Sequence, residues 1–591
     1  MAPPDPATES DIQGAWLGPG AARRRAGWLA VFPVAIVVLL VGPVIAGLLG
    51  SGLPAFGILP ALGHAQLSLD PWRELLATPG IGTSVLLSLG TGLASTAIAF
   101  LAVVLFMAAS SGTRLFRTAA LLISPLLSLP HAAAAVGFAF LVAPSGWLMR
   151  LVSPWATGFT RPPDLLIVHD PMGLTLTLGL AFKEIPFLWL VALAALPRTD
   201  ADRSRRLAAS LGYGPVTGFL VTVMPRLYPQ IRLAVYAVIA FATSNVDVAM
   251  ILGPTTPPPL GPQLLRLASD PGLLTRLPAS AAALTQLAVS LGAIALWRGL
   301  EVLAVRAISF VAIRGRRRNG DALAAGLGLI AMVAALAAMI GGVAALVLWS
   351  LADHWRFPDA LPHRLAPGRW LMRLPDLAEP ALNTVLVAGG AVALAVLLVV
   401  GTLEAETRRA TLARRDDGRR RAYLFVYLPL LVPQVTFLFG LQVFFLAGGV
   451  TPDLVAVIAV HLVFVLPYVM LSLSDPWRAL DPRYAQVATS LGASSARVFW
   501  QVRLPMLLRP VLVAAAVGFA VSIGLYLPTI LIGAGRVETV TTQAVALSAG
   551  GDRRLLAIVA LSQTLLPFLG FALAALVPAL AFGGRLRQRA L

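Results

Sequence analysis

Twelve separate stretches of mostly apolar residues run through the chain, each at least as long as the roughly 20 residues that an α-helix needs to cross a bilayer. They are 26–50, 81–109, 118–143, 173–196, 229–253, 279–305, 322–351, 381–403, 422–447, 453–473, 510–534 and 555–582. Several hold internal Gly or Pro, which membrane helices tolerate because neighbouring helices re-satisfy the freed backbone groups. Of the 591 residues, 58% are hydrophobic and only 12% charged. A soluble domain is about a quarter charged, so a water-soluble globule of this composition would lack the polar surface to cover itself. The expectation is an all-α integral membrane protein with about 12 transmembrane helices. The absence of cysteine excludes a disulfide scaffold, a thiolate zinc site, an iron–sulfur cluster and a cysteine nucleophile.

Charge fixes the orientation. The net charge is +18, from 45 basic and 27 acidic residues, and Lys183 is the single lysine. In a soluble protein this excess would point to nucleic acid. In a membrane protein it follows from cytoplasmic loops collecting cations, and no nucleic-acid partner is expected. With the N-terminus in the cytoplasm, thirty arginines fall inside, within 23–25, 114–117, 198–226, 306–318, 408–421, 478–509 and 585–589. Twelve fall outside, and Lys183, Arg232 and Arg298 lie within spans. Both termini are therefore expected in the cytoplasm. Arg23-Arg24-Arg25 precede an apolar run of about 25 residues with no cleavage region, which reads as a retained helix rather than a signal peptide.

The chain repeats itself. Ser210-Leu211-Gly212 recurs as Ser490-Leu491-Gly492, Phe219 as Phe499 and Pro225 as Pro505, all at an offset of 280. Ile185-Pro186-Phe187 matches Leu466-Pro467-Tyr468 at 281. Further upstream Thr83-Ser84-Val85-Leu86 pairs with Asn383-Thr384-Val385-Leu386 at 300, and Pro130-His131 with Pro433-Gln434 at 303. The difference is the longer outside loop at 144–172 against the tight turn near 450. The expected organisation is a tail over 1–25, a first half over 26–308 (core 80–305), a linker over 309–321, a second half over 322–584 (core 380–580) and a basic end over 585–591. Six spans per half is an even number, so both halves sit the same way up, with a pseudo-two-fold axis along the membrane normal.

Each repeated segment lies on the expected cytoplasmic side, between the fourth and fifth spans of its half. Its residues describe a short helix, a corner and a second short helix. Gly212 suits a left-handed helix cap and Pro215 the first position of the next helix. In the second copy Ser494 or Ser495 suits a cap. Pro225 and Pro505 mark the return to the membrane. Phe219-Leu220-Val221 and Phe499-Trp500 would give each loop an apolar knob that lipid cannot bury, which points to a protein partner.

The two segments resemble the cytoplasmic coupling loop of ABC importer permeases, written EAA, three residues, Gly, nine residues, Ile, any residue, Leu-Pro. Ala208, Ala209, Gly212, Phe219 and Pro225 match in the first copy, and Ala488, Gly492, Phe499 and Pro505 in the second. Arg206 and Gln486 stand at the acidic position, and Leu207 and Val487 at the first alanine. The fused pair is similar to iron(III)-, thiamine- and putrescine-type permeases, and Ile523-Gly524-Leu525-Tyr526-Leu527-Pro528-Thr529 is similar to a fused permease linked with thiamine uptake. The resemblance implies a substrate such as a thiamine-like compound, a polyamine or ferric iron. It implies two copies of a cytoplasmic ATPase docked on the loops, a periplasmic binding protein that delivers substrate, and ATP-driven rocking of the halves. ATP would be bound by those partner subunits, with no cofactor on this chain. The sequence agrees, because a Walker A loop, Gly-x4-Gly-Lys-Ser/Thr, needs a lysine for the phosphates and Lys183 follows Ala181-Phe182 inside a span. The chain is not expected to be an enzyme.

Ionisable groups in lipid cost about 2.5–3.5 kcal/mol each on insertion scales, so they face the bundle interior. Lys183 and Glu184 in the fourth span point about 100° apart and need not pair. Asn245 and Asp247 in the fifth span are the stronger pathway candidates, with Ser522 and Tyr526 as second-half counterparts. Arg298 and Glu301, three residues apart, are expected to pair in a structural role, and His461 to hydrogen-bond between helices. The six histidines show no His-Glu-x-x-His spacing, and no metal site is expected. The alternative, an ion-coupled secondary transporter, also has parallel six-span halves. Its Gly-x3-Asp-Arg signature is absent from the second-to-third loop, which runs from Ser110 to Arg117 without an acid.

Overall fold

The computed structural model describes residues 28–315, 317, 320–412 and 426–587. The expected tail over 1–25, part of the linker, the arginines between 413 and 425 and the last four residues lie outside the described residues. The main helices are α1 (Val31–Ala55), α2 (Ile81–Ser110), α3 (Arg114–Leu126), α4 (His131–Val142), α5 (Leu174–Ala195), α6 (Ala201–Ser210), α7 (Pro215–Thr222), α8 (Met224–Thr243), α9 (Asp247–Leu252) and α10 (Arg276–Ile313). Then follow α11 (Asp321–Leu351), α12 (Gly368–Leu412), α13 (Gln434–Ala447), α14 (Leu454–Arg478), α15 (Arg483–Ser490), α16 (Leu508–Gly524), α17 (Leu527–Gly533) and α18 (Arg553–Arg587). Among the described residues β structure is limited to two isolated bridges, Leu59 with His64 and Ala352 with Leu365. The long helices are apolar all round, and many of their large side chains remain on the outer surface. That pattern fits a lipid solvent.

The expected count of twelve spans is not reached. Nine helices among the described residues are long and apolar enough to cross a membrane, or ten if the bent pair Ser495–Met506 and Leu508–Gly524 is one span. Three expected spans account for the difference in outline. The eleventh breaks between Gly524 and Leu527 and counts only as part of the bent pair, while the third still crosses as His131–Val152 after a break at Leu127–Pro130. The fifth breaks between Thr243 and Asp247. The ninth appears as the 14 residues of α13, separated by a break at Val432-Pro433 from the short helix Leu428–Leu431.

Leading helices are exchanged. Helix α1 packs along α13, and α11 packs along α4. The buried cluster on α2, α5 and α8 takes Met332 and Ala335 from α11, and the cluster on α12, α14 and α16 takes Ile36 and Leu40 from α1. Glycines permit both crossings. A Cβ on Gly440 would lie 1.8 Å from the carbonyl oxygen of Gly47, and one on Gly137 would lie 2.9 Å from that of Gly342. The Ser51 hydroxyl donates to the Thr436 carbonyl at 2.7 Å across the first crossing. Gly137 and Gly440 stand 303 residues apart, the same spacing as Pro130 and Pro433. Close backbone approach through small residues is how helices associate where lipid offers no hydrophobic drive.

Candidate functional site

The two repeated loops have the same backbone. Gly212 and Gly492 both have φ +83°, a left-handed conformation that costs an L side chain strain. Gly212 N donates to Ala209 O at 2.9 Å and Tyr213 N to Ala208 O at 3.0 Å. Gly492 N donates to Thr489 O at 2.9 Å and Ala493 N to Ala488 O at 3.0 Å. These are two Schellman caps, ending α6 and α15 alike. Pro215 opens α7, and the Ser494 hydroxyl accepts from Arg497 N at 3.3 Å to cap the short helix Ser495–Val498. Pro225 sits in the first turn of α8, and Pro505 immediately precedes the 69° bend into α16.

Of the expected apolar knobs Trp500 stays exposed (65%), but the ring of the first knob is turned inward. Phe219 is 0% exposed, because α7 lies against α2 and α11 and turns that ring into the core. Ala208 is buried as well, while Ala209 is exposed; Ala488 and Phe499 are half-buried. The other exposed apolar groups of the loops are Leu207 and Leu211, with their repeat partners Val487 and Leu491 (81% exposed), and Tyr484.

Each loop is also tied to a span by a carboxylate that the sequence reading missed. Asp321, the first residue of α11, accepts from Val216 N at 2.9 Å, Thr217 N at 3.2 Å and the Thr217 hydroxyl, capping α7. Gly214 N donates to Arg317 O at 2.8 Å, and a Cβ at Gly214 would lie 2.1 Å from Asp321 Oδ2. In the second copy buried Glu404 at the end of α12 binds Arg408 Nε at 2.7 Å and Arg503 Nη1 at 2.6 Å.

Deeper in the bundle, the fifth span and its repeat break at the same place. Helix α8 ends at Thr243 and α9 starts at Asp247; α16 ends at Gly524 and α17 starts at Leu527. A break frees backbone groups that lipid cannot satisfy. Gln286 Nε2 donates to the Thr243 carbonyl at 3.1 Å. Gln563 Nε2 donates to Thr541 Oγ1 at 2.7 Å, whose hydroxyl reaches the Ile523 carbonyl. Thr243 and Ile523 are 280 residues apart, so a glutamine from each following span serves the equivalent carbonyl. The break segments meet each other, with Tyr526 OH donating to Met250 Sδ at 3.7 Å. Equivalent elements that touch must straddle the axis relating them.

Most of the expected pathway residues gather here. The Asn245 amide donates to Asp247 Oδ1 at 2.9 Å and its carbonyl caps α9 through Val248 N at 3.0 Å and Ala249 N at 3.2 Å. Glu184 lies 3.5 Å from His131 Nε2, and the His131 ring packs tilted against Phe241, centroids 4.8 Å apart. Tyr526 lies within electrostatic reach of Asp247 and Tyr468 of Glu184. Lys183 does not pair with Glu184, and its ammonium donates to the Leu127 carbonyl at 3.1 Å. Ser522 accepts or donates to His461 Nδ1 at 2.8 Å, and Thr529 meets His461 Nε2 at 2.9 Å. That imidazole therefore staples the second break. Arg298 pairs with Glu301, which also takes hydrogen bonds from Tyr228 and Tyr236.

A family model described as binding-protein-dependent transport system inner membrane component matches residues 410–584, which include the second loop. The inner membrane ABC transporter permease protein YnjC of Escherichia coli is 31% identical over 516 residues, covering 86% of this chain and 91% of that protein. The chain belongs to this family of ABC transporter permeases. The spermidine/putrescine transport system permease protein PotC of Haemophilus influenzae is 26% identical over 157 residues, 26% of this chain and 59% of its own. The molybdenum transport system permease protein ModB of Mycobacterium tuberculosis is 30% identical over 173 residues, 27% of this chain and 63% of its own. The family members are multi-span subunits that work with ATPase subunits and binding proteins and are not themselves enzymes. This permease is a fused one, with the loop present twice in one chain.

Proposed function

We propose that this permease forms the substrate pathway of an ATP-driven importer in a bacterial inner membrane, with both termini in the cytoplasm. Two copies of an ATPase subunit dock on the loops at 201–222 and 483–506, and a periplasmic binding protein delivers substrate to the opposite mouth. The loops act as levers. ATPase closure moves α6 and α7, and Asp321 and Glu404 pass that movement to α11 and α12. Substrate crosses where the two broken spans meet, past Glu184, Asn245, Asp247 and Tyr526, with Lys183 and Ser522 as supports behind that wall. The observation that carries this reading is the pair of Schellman-capped loops, alike in φ and in hydrogen bonding.

The test is the double variant Gly212→Val with Gly492→Val. A branched side chain at φ +83° strains each corner by about 1–3 kcal/mol without touching a span. Membrane insertion is expected to persist, while co-purification of the ATPase and ATP-dependent uptake fall at least tenfold. Uptake at the unmodified rate refutes the coupling assignment, and uptake driven by a proton gradient without nucleotide turns the reading to a secondary transporter.

A further inference from the structure

The pathway site is built unequally from its two walls. Besides Lys183 on the first wall and His461 on the second, the carboxylates Glu184 and Asp247 and the imidazole of His131 all stand on the first wall. Their repeat positions in the second wall hold Val465, Leu527 and Gln434, and that wall presents Tyr468 and Tyr526 instead. Glu184 is 5% exposed; among the described residues its carboxylate takes no hydrogen bond, lies 3.5 Å from the His131 ring and is within electrostatic reach of Tyr468 and Lys183. Asp247 is buried with Asn245 as its side-chain donor. Among the described residues no arginine or lysine forms an ion pair with either carboxylate. Burying two carboxylates beside a single ammonium leaves the site short of positive charge, and a cation arriving between the two walls would supply it.

We propose that this site admits an organic cation, an ammonium or a cationic heterocycle, and excludes oxyanions and bare metal ions. This rests on the broken spans being the pathway. An oxyanion needs free N–H donors or cations. Here the amides of Val248 and Ala249 are already bound by Asn245, and the one ammonium, Lys183, donates to the Leu127 carbonyl and is outnumbered by two carboxylates. A metal ion needs several converging ligands, and among the described residues no group of three or more His, Asp or Glu is arranged to hold one.

The natural lack of cysteine makes the test direct. Met250→Cys puts one thiol beside Tyr526, and Val246→Cys provides a second position should the first variant fail to fold as judged by gel filtration. The full chain in nanodiscs is treated with two methanethiosulfonates of similar size, one carrying trimethylammonium and one carrying sulfonate. Each rate is divided by that reagent's rate with free 2-mercaptoethanol. The cationic reagent is expected to react at least tenfold faster than the anionic one. Adding Glu184→Gln and Asp247→Asn should bring the ratio to within threefold of unity. Equal rates, or a faster anionic reagent, overturn the cation assignment while leaving the pathway standing. No reaction with either reagent at both positions overturns the pathway itself, and this inference with it.

Discussion

Asp321→Ala removes the cap that ties the first loop to α11. The carboxylate takes three hydrogen bonds, from Val216 N, Thr217 N and the Thr217 hydroxyl, and it is buried. A hydrogen bond to a charged group contributes about 1.5–3 kcal/mol. Three bonds that share one carboxylate are not additive, and a total near 3 kcal/mol is the reasonable expectation. At about 1.4 kcal/mol per tenfold change, local opening of α7 should become about 100-fold more frequent. Hydrogen–deuterium exchange over residues 214–222 of the chain in nanodiscs reads this directly. Asp321→Asn keeps an oxygen for the two amides and its NH2 can donate to the Thr217 hydroxyl, so its exchange should rise less than tenfold. The helix α15, in the other loop and away from Asp321, is the internal reference. Exchange of the alanine variant within threefold of the unmodified chain refutes the idea that this carboxylate holds the loop.

Two further outcomes follow from the packing. Gly440→Ala places a methyl group 1.8 Å from Gly47 O, and overpacking of this kind costs about 1–3 kcal/mol. The thermal midpoint in detergent should fall by several degrees, whereas Gly42→Ala, with nothing within 4 Å, should leave it unchanged. Gln286→Leu strands the Thr243 carbonyl, while Gln563→Leu leaves Ile523 O with its bond from Thr541. The first substitution should therefore lower the thermal midpoint more than the second, by about 1–3 kcal/mol of lost satisfaction.

Much of this was legible because duplication gives a sequence an internal control. Gly212 and Gly492 at one offset were enough to place both corners, and the caps have the expected geometry. Phe219 was misplaced for a physical reason. An eight-residue helix shows too few turns for its buried face to be read from the sequence, and only the neighbours α2 and α11 decide which way the ring points. The breaks at Ser244–Val246 and Leu525–Tyr526 lie inside apolar runs, where hydropathy averages over the few residues that unwind. Gln286 and Gln563 look like incidental polar residues until the carbonyls they serve are known. Asp321 acts on residues more than 100 positions away, and no local pattern marks it. His131 was visible as a repeat landmark beside Pro130, yet its meeting with Glu184 depends on how α4 and α5 pack.

The exchanged leading helices restrict how such a body can move. A pair of blocks laid side by side can slide apart, but here each block holds an arm of the other at a backbone-to-backbone crossing, Gly47 on Gly440 and Gly137 on Gly342. Those crossings behave as the two rivets of a pair of shears. Turning about a rivet partway along a blade widens one tip as it narrows the other, so simultaneous leakage at both faces would require the rivets themselves to be pulled.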